Sequence, residues 1–137
     1  MPSVNFWPIL VAALAAFGLS ALWYSPLLFG KEWTASHGFD EKTIASIKER
    51  GVWKLYIIQL IASIIMFIVV AFLNSATGGA SASDGAFLGF LVWLGFSATQ
   101  SAGELLWKST PFKLILIESV GILVNLLVGG AIIGAWQ

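Results

Sequence analysis

Two carboxylates, Glu104 and Glu118, stand inside long apolar runs of this chain. A charged side chain at the centre of a bilayer costs about 2.5–3.5 kcal/mol on insertion scales, so a carboxylate at membrane depth marks a candidate site. Two of them sharing a low-dielectric site cannot both ionise cheaply, which suits a proton relay or a cation site. Polar and small residues recur around them at helical spacing. Trp93, Ser97, Gln100, Ser101 and Glu104 make one stripe of a helix, and Glu118, Gly121, Asn125 and Gly129 make another. Such stripes belong in a bundle interior or at a protomer interface, where polar side chains find partners. A structural reading competes with the functional one. Lys108 follows Glu104 by one helical turn and can pair with it, while Lys54 and Lys113 can reach back from the membrane boundary. Glu118 has no cation one turn away on either side and is the stronger functional candidate.

Other chemistry is scarce. The chain has no cysteine and one histidine, His37, so disulfides, thiolate or multi-histidine metal sites and cysteine nucleophiles are out of reach. His37 lies in a charged loop and is expected to be solvent-exposed. No nucleophile with a plausible base and no phosphate-binding glycine loop is present, so neither an enzyme nor a metal or other cofactor is expected. The formal net charge is zero and there is no basic run, which argues against a nucleic-acid partner.

The elements that must position these residues follow from composition. At 58% hydrophobic and 10% charged, with a mean hydropathy of +0.91, the chain is suited to lipid. Four apolar runs cover about residues 6–29, 53–73, 85–107 and 112–136, each near the 20 or so residues that cross a bilayer. Backbone groups in lipid must be satisfied within their own segment, so these runs are helices. Pro8 falls in the first turn of the first run, where its missing N–H costs nothing. A cleaved signal peptide is the competing reading of that run, but its apolar stretch would be shorter and preceded by Lys or Arg. Asp40 to Arg50, followed by Gly51, reads as a short interfacial helix in the first cytoplasmic loop. Asn74 to Ser83, rich in small and polar residues, reads as a loop. Small residues at spacing four, Ala12, Ala16 and Ser20, then Gly95, Thr99 and Gly103, then Gly130 and Gly134, suit close helix crossing.

With four spans, Lys31, Lys42, Lys48, Arg50, Lys54, Lys108 and Lys113 all fall on one side of the membrane, and no Lys or Arg falls on the other. Short loops rich in Lys and Arg stay in the cytoplasm. A bacterial-type inner membrane with both termini on the non-cytoplasmic side is therefore expected. The two halves, 1–73 and 84–137, also resemble each other. Lys54-Leu55-Tyr56-Ile57-Ile58-Gln59 aligns with Lys113-Leu114-Ile115-Leu116-Ile117-Glu118, and Leu22-Trp23 before Ser25-Pro26 aligns with Leu106-Trp107 before Pro111. Two copies of one hairpin, related by an axis along the membrane normal, are expected. In that alignment Gln59 matches Glu118 and Ser20 matches Glu104, giving one cytoplasmic-side polar layer. The expected architecture is all-α: a polytopic membrane protein of four transmembrane helices as two pseudo-repeated hairpins.

The segment Leu22-Trp23-Tyr24-Ser25-Pro26-Leu27-Leu28-Phe29-Gly30-Lys31-Glu32-Trp33 resembles the signature of a bacterial four-span membrane family known only as domain of unknown function seventeen-sixty-one. The resemblance implies fold and location across the whole chain and brings no substrate or catalytic residue. Two functions stay open. One is a small homo-oligomeric channel or transporter for protons, cations or a small polar solute, with Ser20, Gln59, Gln100, Glu104, Glu118 and Asn125 lining the path. The other is a non-catalytic structural or accessory subunit of a larger membrane complex. Membrane lipid is the expected surrounding in either case.

Overall fold

The computed structural model describes residues 4–37 and 41–136, and among them every regular element is helical. Helix α1, Phe6–Trp23, starts on Asn5, whose side-chain oxygen accepts the Trp7 N–H at 3.1 Å. It closes at Trp23, short of the expected end at 29. The residue before a proline resists α conformation, and Ser25 precedes Pro26. The Ser25 hydroxyl caps the end by donating to the Leu22 carbonyl at 2.6 Å. The chain turns through Tyr24 to Phe29 and enters a helix that the sequence reading lacks, α2, Gly30–His37. A Cβ at Gly30 would strike the Tyr24 carbonyl and the Ser25 backbone, so this turn requires glycine.

Helix α3, Glu41–Glu49, is the expected short helix of the first loop. Its expected Asp40 cap and the His37 side chain lie outside the described residues. Gly51, at φ +87°, leads into α4, Val52–Ala76. Asn74 belongs to α4 and not to a loop: it is 1% exposed, and its amide donates to the Gly79 carbonyl at 3.1 Å. The polar tail of this helix is held by that contact, which binds the following turn back onto the helix end. Helix α5, Ala82–Val92, begins on a reciprocal cap. The Ser81 hydroxyl accepts the Asp84 N–H, and the Asp84 carboxylate accepts the Ala80 N–H, each at 3.1 Å. A π-helical turn over Trp93–Ala98 and then α6, Thr99–Trp107, continue the same helical run. A tight turn through Ser109, at φ +51°, leads to α7, Phe112–Ala135.

Three of these helices, α1, α4 and α7, are long and apolar enough to cross a membrane. The chain is a helical membrane protein on that composition. Helix α4 turns Ile58, Ile61, Ile65 and Val69 outward along one face, as lipid demands. Helix α7 is the hub and packs against α1, α4, α5 and, near its N-terminus, α2. Between α1, α4 and α7 lies a core of Ile9, Ala12, Ala13, Ala16, Phe67, Val70, Leu126 and Ile133. The small residues Ala12 and Ala16 are buried there, as their spacing predicts. Between α5 and α7 the backbones touch. A Cβ at Gly85 would overlap the Gly130 carbonyl, one at Gly89 the Leu126 carbonyl, and one at Gly134 the Ser81 carbonyl. Backbones that approach this closely need glycine at the contact, supplied by Gly85 and Gly89 on α5 and by Gly130 and Gly134 on α7.

Candidate functional site

Ser20 on α1 and Asn125 on α7 meet in the middle of the bundle, where the Asn125 amide donates to the Ser20 hydroxyl at 2.8 Å. Gln59 on α4 joins them as the third polar wall of a cleft of about 310 Å³, lined also by Trp23, Tyr24, Gly121 and Ile122. The cleft opens outward into a groove of about 510 Å³ along Phe17, Ala21 and Tyr56, again with Ser20, Tyr24 and Gln59 in its wall. Inward it continues past Asn125 to Ser63 and Met66. Met66 packs against the core, and there the Phe67 ring fills the space over Gly129. The cleft therefore runs from the α1–α2 turn along α1, α4 and α7 as far as Met66, beside the packed core.

Tryptophans hold its walls in place. The Trp23 indole donates to the Ile117 carbonyl at 2.9 Å, fixing the end of α1 to α7. The Trp93 indole does the same from the π turn, donating to the Ser119 carbonyl at 2.8 Å. Intrahelical carbonyls that accept a second donor gain a hydrogen bond without losing their own, so these indoles tie helices together at no backbone cost. Gly121 sits under Trp23: a Cβ there would approach the indole nitrogen to 2.8 Å.

Glu118 lies beside this cleft and is engaged from outside it. The Trp33 indole of α2 donates to the Glu118 carboxylate at 3.0 Å. Trp33 packs edge-on against Tyr24, with ring centroids 5.4 Å apart, and Tyr24 faces the cleft. Burial, and then the negative charge of Glu118, push the Tyr24 hydroxyl above its ordinary value, so it stays protonated and can donate a hydrogen bond into the cleft. Next to Trp33, Glu32 keeps one carboxylate oxygen buried without a hydrogen-bond partner.

The predicted polar residues thus divide. Ser20, Gln59 and Asn125 come together, with Glu118 one turn from Gly121. Gln100 and Glu104 are not among the residues lining the cleft. They stand on α6, which buries no side chain within the chain. The single layer of Ser20, Gln59, Glu104 and Glu118 predicted from the two halves gives way to a cleft in which Asn125 takes the place of the carboxylates. A π turn also divides the stripe that Trp93, Ser97, Gln100, Ser101 and Glu104 make in sequence. Each extra residue rotates the following helix by roughly 100° relative to an uninterrupted α-helix. Trp93 turns toward α7, whereas Gln100 is exposed, so they no longer share a stripe. Thr99 reinforces the irregularity by donating its hydroxyl to the Gly95 carbonyl at 2.9 Å, a contact that bends helices. Among the described residues neither Glu104 nor Lys108 takes part in an ion pair, so the predicted pairing along the helix is not made.

Sequence reasoning missed Tyr24, Trp33 and Glu32 as neighbours of the site. All three follow from α2, whose only signal is the Ser-Pro break with glycine four residues beyond Pro26. Among the described residues no group of three or more His, Cys, Asp or Glu side chains could hold a metal ion.

The sequence pattern of one family, described as Protein of unknown function (DUF1761), matches residues 7–134, so the chain belongs to that family. No curated protein and no solved structure matches it.

Proposed function

We propose that this member of the DUF1761 family is a small homo-oligomeric membrane transporter that binds a small, neutral, polar solute in the cleft between α1, α4 and α7. The observation that carries this reading is the Ser20–Asn125 hydrogen bond in a cleft that Gln59 and Tyr24 complete. These four side chains offer hydroxyl and amide donors and acceptors and no formal charge. A bare ion entering such a site would lose its hydration without a counter-charge, whereas a neutral hydroxyl- or amide-bearing solute exchanges one set of hydrogen bonds for another. The packed core beside the cleft, where Phe67 fills the space over Gly129, supports a carrier over an open pore through the single chain.

In this reading α5, the π turn and α6 form a fourth span from about Gly85 to Trp107, and its continuous helical conformation supports that. The cations between α1 and α4, at the start of α4, after α6 and at the start of α7 face the cytoplasm of a bacterial-type inner membrane, with both termini outside. The cleft then opens toward the cytoplasm. Exposed tryptophans support two interfacial belts: Trp7 and Trp136 at one end, Trp53 and Trp107 at the other. The two hairpins descend from one duplicated hairpin, on the strength of the aligned segments at Lys54 and Lys113. A second reading, an accessory subunit of a larger membrane complex, is favoured by the open polar face of α6.

The test is transport in proteoliposomes, with glycerol or urea entry, proton entry and potassium entry measured side by side. Glycerol or urea entry several-fold faster than in protein-free vesicles, with protons and potassium unchanged, is expected. Ion entry alone would return the role to Glu118. No difference from empty vesicles for any of the three would favour the accessory subunit.

A further inference from the structure

We infer that the face of α6 carrying Gln100, Gly103, Glu104 and Lys108 is the contact through which two copies of this chain pair in the membrane. The inference rests on the oligomeric state and the fourth span proposed above, and names the surface that produces them. Glu104 is one turn before Lys108, and neither is ion-paired within the chain. Gln100 is exposed one turn further into the bilayer. An exposed amide and a half-buried carboxylate without an ion-pair partner are costly at membrane depth, and a partner removes that cost. The charge pattern states which partner. A second copy placed by a twofold axis along the membrane normal sets the two α6 helices parallel, with the same row on each. Each Glu104 then lies one helical turn from the other copy's Lys108, within reach of a lysine side chain, and the two Gln100 amides face each other. Such a contact satisfies every polar group on the row with the chain's own residues. Steric access agrees: a Cβ at Gly103 would meet nothing within 4 Å, so the partner can approach closely. The α5 half of the same helical run has no such face to offer, because its glycines are already filled by α7.

The chain has no cysteine, so single-cysteine crosslinking in native membranes reads the contact directly. Gln100→Cys and Gly103→Cys should each give a disulfide-linked dimer on mild oxidation, whereas Ile58→Cys and Ile65→Cys, on the exposed face of α4, should not. A charge exchange supplies the second readout. Glu104→Lys alone and Lys108→Glu alone should each weaken dimerisation about 3- to 20-fold, the range that interhelical polar contacts in membranes produce. The double exchange should restore it. Crosslinking from α4 but not from α6 would overturn this interface while leaving the oligomer standing. Equal crosslinking from both helices would mark collision and also overturn it. No crosslinking at any position, with a one-chain mass in detergent, would remove the interface and the oligomer together. Failure of the double exchange to restore dimers would overturn the Glu104 to Lys108 pairing.

Discussion

Helices α5 and α6 are two halves of one helical run, and they meet α7 in opposite ways. In α5 the backbone touches α7 at Gly85, opposite Gly130 and Gly134, and at Gly89, opposite the Leu126 backbone. In α6 and the turn before it, Gly103 and Gly95 have the same freedom and touch nothing. Glycine spacing is the same kind of signal in both halves, so the difference comes from the partner. Over residues 112–120 α7 has no glycine, and branched or long side chains hold a neighbour at a distance. Close crossing requires small residues on both surfaces at the same level. Between the two halves, the π turn and the Thr99 hydroxyl interrupt the regular helix, and α6 meets α7 far less extensively than α5 does. The closed half gives rigidity, and the open half leaves polar groups available.

The sharpest way to break this comparison is to add side chains to each half in turn. Gly85→Ile or Gly130→Ile should cost about 3 kcal/mol or prevent folding, because the new side chain lands on backbone that cannot yield. Gly103→Ile, measured on the detergent-solubilised monomer, should change stability by less than about 0.5 kcal/mol. Titration with a denaturing detergent would read both, and equal losses would erase the distinction between the halves. The tryptophans sharpen it next. Trp23→Phe removes the donor to the Ile117 carbonyl and should cost about 1 kcal/mol. Trp107, at the end of α6, is 88% exposed, and Trp107→Phe should leave unfolding unchanged.

Smaller effects mark the ends of the run. Ser109, after α6, holds a left-handed backbone at φ +51°, and Ser109→Gly should raise stability by less than about 1 kcal/mol. At the start of α5, the Ala80 N–H and then the Ser81 hydroxyl hold the Asp84 carboxyl below its ordinary value of 3.8. A lowered folded value means that this contribution is complete above the unfolded value and is lost as pH falls through the lowered one. Unfolding followed from neutrality to below pH 3.8 should show that loss, and Asp84→Asn should flatten it.

Much of the molecule was legible in the residues themselves. Apolar length marked α1, α4 and α7, and the Pro111 turn and the Gly51 break stand where expected. Ser20, Gln59 and Asn125 were recognisable because polar side chains at membrane depth must find one another. Other features carried no local signal. Gly85 and Gly89 become informative only when α7 is known to lie opposite, since spacing alone never names the partner helix. The π turn leaves no mark in composition, yet it parts Trp93, which turns toward α7, from the exposed Gln100. Helix α2 is short and polar, so its sequence reads as loop, and its position depends on Trp33 finding Glu118, a contact 85 residues apart in sequence. Asn74 reads as a loop residue because it is polar and close to glycines, and burial against Gly79 keeps it helical.

The most direct measurement is glycerol or urea entry into proteoliposomes carrying the unaltered chain, Asn125→Leu or Ser20→Val, each verified as folded by its helical signal and detergent stability. The cleft predicts rapid entry with the unaltered chain and its loss in both variants, because each removes one partner of the 2.8 Å hydrogen bond and makes the polar wall apolar. Entry that is equally rapid in all three would contradict a transport path through this cleft.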